Sequence, residues 1–151
     1  MAGGLYDVIV AGTDGSPTAA RAVEHAVRLA AATGARLELV AAYTPAPESR
    51  LRHEAQDAPE DVRWMINPRE DADAALTEAA EVAEAAGVPV GRHARDGDAA
   101  SAILDVAEEV GADLIVVGNK GMTGARRFLL GSVPNQVSHH APCSVLIVRT
   151  T

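Results

Sequence analysis

Cysteine occurs once in the 151 residues, at Cys143, which excludes an internal disulfide and any zinc cluster built on cysteines. A lone thiol suits a reducing compartment, so a cytoplasmic location is expected. Aromatic residues are also scarce at 3%, although hydrophobic residues make up 48% of the chain. The core must then be assembled from Ala, Val, Leu and Ile, which favours close approach of helices to a sheet. No apolar run reaches the ~20 residues of a membrane span. The short apolar stretch after Met1-Ala2-Gly3-Gly4 is too brief for a secretory leader, so a soluble protein is expected. Positive charge is in deficit, with 13 Lys and Arg against 21 Asp and Glu and a net charge of −8. That argues against nucleic-acid and anionic-membrane partners, and any phosphate ligand has to be held by local geometry.

What the chain does contain is short apolar runs alternating with longer segments of helical period. The length suits one domain, 1–151. Strands are expected at Val8–Ala11, Leu37–Ala42, Val88–Ala94, Leu114–Val117 and Val145–Val148. The third is weakened by Pro89 and belongs at a sheet edge. Helices are expected over Pro17–Thr33, with Ser16 as N-cap, and over Ala75–Ala86 and Ala99–Val110. Gly34, Gly87 and Gly111 each end a helix just before a strand, where a left-handed residue is needed. Such alternation predicts an α/β fold with a parallel sheet. The stretch from Thr44 to Arg69 breaks the pattern with Pro45, Pro47, Pro59, Pro68 and the single tryptophan, Trp64. It reads as a long variable loop or flap, with Trp64 packing it onto the body.

In an open parallel sheet, ligands bind beyond the carboxyl ends of the strands where strand order reverses. After the first strand comes Gly12-Thr13-Asp14-Gly15-Ser16, with small residues and one carboxylate. After the fourth comes Gly118-Asn119-Lys120-Gly121, then nine residues, then Gly131-Ser132-Val133. Ser132 opens a short helix towards His140. Glycines framing a loop that closes on a helix N-terminus suit an anion, because free N–H groups and the positive end of the helix dipole converge there. Lys120, Arg126 and Arg127 add the local cationic charge. Gly131 is expected to lie where backbone meets phosphate and to need a glycine-only dihedral. The spacing is not that of a Walker A loop, and no Gly-x-Gly-x-x-Gly dinucleotide pattern occurs.

Gly118-x2-Gly121-x9-Gly131-Ser132 resembles the nucleotide-binding signature of the ATP-binding branch of the universal stress protein family. Gly12–Ser16, the run Ala112–Asn119 and the ending Leu129–Pro134 through Val145–Val148 look like that family too. The resemblance covers essentially the whole chain, with 44–69 the least alike. It implies a doubly wound, five-stranded parallel sheet in the order 3-2-1-4-5 with helices on both faces. It also implies nucleotide-binding roles for Gly12, Thr13, Asp14, Ala42, Val117, Gly118, Lys120, Gly121, Arg127, Gly131, Ser132 and Val133. Asp14 would lie beside the adenine and ribose, and Ala42 against the base. Gly118 and Gly121 would line the path of ribose and phosphates, and Gly131, Ser132 and Val133 would offer N–H groups to the phosphates. The implied ligand is ATP, with Mg²⁺ arriving on its phosphates and no metal held by protein side chains. Cyclic AMP, or AMP, is the alternative. Lys120 stands where the family often has histidine or arginine. Pro134 has no N–H, which removes one phosphate donor.

No catalytic residue is expected, and the chain reads as a stress-response or regulatory binding protein. Ser132 and His139 or His140 stand at opposite ends of one helix, about 10 Å apart by helical rise. A weak ATPase would have only Asp14 to position a water. His25, His53 and His93 lack metal-ligand spacing, and Cys143 reads as a small buried residue. The segment Ser144 to Arg149 is an apolar strand at the sheet edge without proline, glycine or central charge, so a homodimer through it is expected. The resemblance points the same way.

Overall fold

The computed structural model describes residues 4–44, 68–119 and 131–150. Within them run β1 (Val8–Gly12), α1 (Pro17–Thr33), β2 (Arg36–Tyr43), α2 (Pro68–Ala85) and β3 (Val90–Asp96). There follow α3 (Ala99–Val110), β4 (Leu114–Gly118), α4 (Ser132–His140) and β5 (Ser144–Val148). The strands form one parallel sheet in the order β3-β2-β1-β4-β5, as expected. Alternation along the strands divides the core into two layers. Ile9, Ala11, Leu37, Leu39 and Val116 face α1 and α2, whereas Val10, Val40, Ile115 and Val117 face α3 and α4. Among the described residues the largest fully buried side chains are aliphatic except for Thr150. Alanines complete the contact: Ala22, Ala26 and Ala30 of α1 and Ala72, Ala79, Ala80 and Ala83 of α2 are all buried.

Local chemistry explains the helix bounds. Ser16 Oγ accepts from Ala19 N–H at 3.2 Å and Pro17 occupies the first turn, so α1 starts where expected. Asp98 does the same for α3, accepting from Ser101 N–H at 3.0 Å. That bond holds its carboxyl below the usual carboxylate range. Gly34, Gly87 and Gly111 sit at φ 78°, 74° and 66°, the left-handed region in which each helix ends. At the amino end of the sheet the Asp113 carboxylate accepts from both Asp7 and Val8 N–H, tying the start of β1 to that of β4.

Three expectations are corrected. The second helix starts at Pro68, not Ala75, inside the stretch read as a loop. Proline fits a first turn and Glu70 and Asp71 complement the helix dipole, while the inward stripe begins at the small Ala72 and carries little hydrophobic weight. The edge strand starts at Val90, after Pro89 instead of through it, and runs to Asp96. Cys143 is half-buried, and partial burial together with the nearby Asp113 charge pushes its thiol pKa up. Residues 45–67, which include Trp64 and most of the expected 44–69 flap, lie outside the described residues. Among the described residues no helix is long and apolar enough to cross a membrane.

Candidate functional site

Because β1 and β4 are neighbours whose connections leave to opposite sides, their carboxyl ends part and open a crevice. It measures about 130 Å³ and is floored by Gly12, Val40, Ala42, Val117 and Gly118. One wall is Ser16 and the first two turns of α1, with Thr18, Ala19 and Ala22; the other is the first two turns of α3, with Ala99 and Ile103, together with Val133 and Pro134 of α4. The lining is mostly aliphatic and small. A dry cavity of ~150 Å³ takes up a benzene ring, so this slot suits a flat aromatic base, with any polar tail left outside.

The mouth is built by the turn after β1. Thr13 N–H donates to Val40 O at 2.8 Å, which continues the ladder one residue past the strand. Thr13 Oγ1 then accepts from Gly15 N–H at 3.2 Å and Asp14 Oδ1 from Ser16 N–H at 2.9 Å. Asp14 is exposed and is the one charged side chain among the described residues that line the crevice. Its second oxygen has no partner among the described residues. At Gly12 a Cβ would stand 2.6 Å from Ile103 Cδ1, so any larger residue there forces the Ile103 side chain to shift.

Beyond the floor the chain turns at Asn119, whose N–H donates to Val148 O at 2.8 Å. The carbonyl of Asn119 accepts from Gly131 N–H at 3.0 Å, and Gly131 O receives the first helical bond of α4 from Asn135. The N–H groups of Ser132 and Val133 have no partner among the described residues, and Pro134 contributes none. Two donors thus remain at the positive end of α4.

Gly12, Thr13, Asp14, Ala42, Val117, Gly118 and Val133 therefore line one crevice, as the sequence suggested. Gly131 and Ser132 stand beside it and do not line it. Gly131 is corrected twice: its N–H is already engaged, and its φ of −62° and ψ of 164° are open to any residue. Lys120, Gly121, Arg126 and Arg127 lie outside the described residues. Sequence reasoning missed Ala19, Ala22, Val40, Ala99 and Ile103. In a parallel α/β sheet every helix begins at the carboxyl edge of the strands, so the opening turns of α1 and α3 were the clue to all but Val40, which lies in β2.

A family model described as the universal stress protein family matches residues 5–149. A universal stress protein of Mycobacterium tuberculosis is 38% identical over 147 residues, covering 97% of this chain and 98% of that protein. One from Methanocaldococcus jannaschii is 35% identical over 145 residues, covering 96% and 83%. The crystal structure of a universal stress protein in complex with cAMP superposes with a TM-score of 0.73 at 38% identity, covering 97% of this chain and 99% of that one.

Proposed function

Since the chain belongs to the universal stress protein family, we propose that it binds an adenine nucleotide in the crevice between the ends of β1 and β4. The observation that carries this is the slot itself, an aliphatic cleft of about 130 Å³ with one carboxylate, Asp14, among its described lining residues. The base occupies the slot, and the free Asp14 oxygen accepts from ribose hydroxyls, where a carboxylate attracts instead of repelling. The phosphate end meets the N–H groups of Ser132 and Val133 and the dipole of α4.

The spacing Gly118-x2-Gly121-x9-Gly131-Ser132 favours ATP, whose Mg²⁺ would be held chiefly by phosphate oxygens because Asp14 is the one carboxylate among the described lining residues. Two observations favour cyclic AMP instead. Pro134 and the engaged Gly131 leave two N–H donors at the described start of α4, enough for one phosphate, and one solved universal stress protein, 38% identical to this chain, is a complex with cAMP. We take cyclic AMP as the tighter ligand. Calorimetry with cAMP, AMP and ATP tests both readings: no heat with any of the three refutes nucleotide binding, and tighter ATP refutes the ranking. Pro134→Thr restores a donor and is expected to raise ATP affinity by about tenfold, the effect of one hydrogen bond to a charged group.

The protein acts by binding and not by turnover. Asp14 is the one carboxylate among the described lining residues, and the ribose hydroxyls, not a water, are its proposed partners. We further propose a homodimer through β5. Val145, Leu146, Ile147 and Val148 are only partly buried, although their side chains reach into both core layers. Pairing with a second β5 would cover that edge.

A further inference from the structure

Among the described residues Thr150 is the one buried polar side chain, 2% exposed. Its N–H and its hydroxyl both donate to Asn119 Oδ1, at 2.9 and 3.1 Å. Its carbonyl accepts from the Arg21 guanidinium at 2.9 Å. The main chain of Asn119 is engaged on both sides as well, donating to Val148 O and accepting from Gly131 N–H. A single asparagine thus joins the end of β4, the residue that opens α4 and the chain that leaves β5. Arg21 extends the circuit to α1, next to the crevice-lining Ala22. None of Asn119, Thr150 and Arg21 lines the crevice itself.

We propose that Thr150 and Asn119 are positioning residues of the nucleotide site. The pair holds Gly118 and the start of α4 at the separation that receives the phosphate end of the ligand. The proposal rests on the adenine-nucleotide reading above and adds to it a control point at the far end of the chain. The physical basis is pre-organisation. Two donors converging on one amide oxygen fix the carboxamide, and the backbone of Asn119 then fixes Gly131. Loosening that node populates arrangements in which the start of α4, with the Ser132 and Val133 N–H groups, no longer stands at its place beside the slot. Apparent affinity falls in proportion to the fraction that stays competent. Burial sharpens the effect, because no water stands ready to replace a lost partner.

Thr150→Val keeps the shape and the main-chain bond and removes only the hydroxyl donor. Measured well below the unfolding temperature, it should weaken cAMP binding and accelerate amide exchange of Gly131 in the ligand-free protein by factors whose product is about five, the equilibrium weight of one net hydrogen bond, because opening lowers affinity only to the extent that the open arrangement is populated. Thr150→Ser restores the hydroxyl and should return both values to those of the wild type, which a general loss of packing would not do. Asn119→Ala removes the acceptor and should exceed Thr150→Val in both readouts. Unchanged affinity and unchanged Gly131 exchange in a folded Thr150→Val protein would overturn the proposal, as would a lowered melting temperature with neither readout moved. If the wild type binds no adenine nucleotide, the crevice reading fails and the proposal with it, and Gly131 exchange would then report on the tether alone.

Discussion

Replacing Gly12 with alanine places a methyl group where Ile103 already stands. The new Cβ would lie 2.6 Å from Ile103 Cδ1 and 3.2 Å from its Cγ1, whereas carbon atoms pack at about 3.5–4.0 Å. Ile103 must retreat by about 1 Å, and as a side chain only 3% exposed it has one open side, the crevice. Forcing it off its rotamer costs ~0.5–1.5 kcal/mol, and overpacking a filled core costs ~1–3 kcal/mol. Gly12→Ala should therefore lower stability by about 1–2 kcal/mol. The displaced Cδ1 also enters a slot of only about 130 Å³, so adenine-nucleotide affinity should fall about tenfold, ~1.4 kcal/mol. Ile103→Val alone deletes the clashing Cδ1 at a cost of ~0.5–1.5 kcal/mol. In the double variant the methyl added at 12 occupies the space vacated at 103. Urea unfolding should then show the double variant more stable than the sum of the two singles by about 1 kcal/mol, and calorimetry should show most of the affinity restored. Effects that add within ~0.3–0.5 kcal/mol would refute the contact and, with it, the assignment of Gly12 to the crevice floor.

Asp14→Asn keeps an oxygen for the Ser16 N–H but loses the charge, so the fold should survive while nucleotide affinity drops about tenfold, as for one charge-assisted hydrogen bond. Full affinity would show that the carboxylate faces away from the ligand, and rapid ATP turnover abolished by the same variant would make the protein an enzyme. The Asp98 cap is sensitive to acid: a folded pKa below the unfolded one means stability that is present above the unfolded value and lost as pH falls through the folded one. Asp98→Asn should retain the cap and flatten that part of the acid limb in denaturant titrations; an unchanged limb would assign the acid sensitivity to other groups. Ile147→Pro should give folded monomers by light scattering. The Val148 carbonyl faces β4, so the main chain of Ile147 faces the open edge and no intrachain ladder bond is lost. A persistent dimer would place the interface elsewhere.

Periodicity was enough to place the strands and three of the four helices, because burial on one stripe or on both faces is written locally. The α1 bounds were legible to the residue, since Ser16, Pro17 and Gly34 are themselves the start and stop chemistry. The start of α2 was not legible, because alanines and acidic residues around Pro68 read as polar loop until a sheet face is there to cover Ala72 and Ala75. Of the site, the segments following β1 and β4 were visible, as small residues and glycines mark close approach in any context. The walls at Ala19, Ala22, Ala99 and Ile103 were not, because each looks like an ordinary helix residue until the sheet aims its first turn at the crevice. Tertiary structure alone revealed that the Gly131 N–H is engaged by Asn119 and that Asn119 is in turn held by Thr150, across 31 residues of sequence. Hydrogen bonds between distant segments leave no period and no local composition, so only the folded chain brings such partners together.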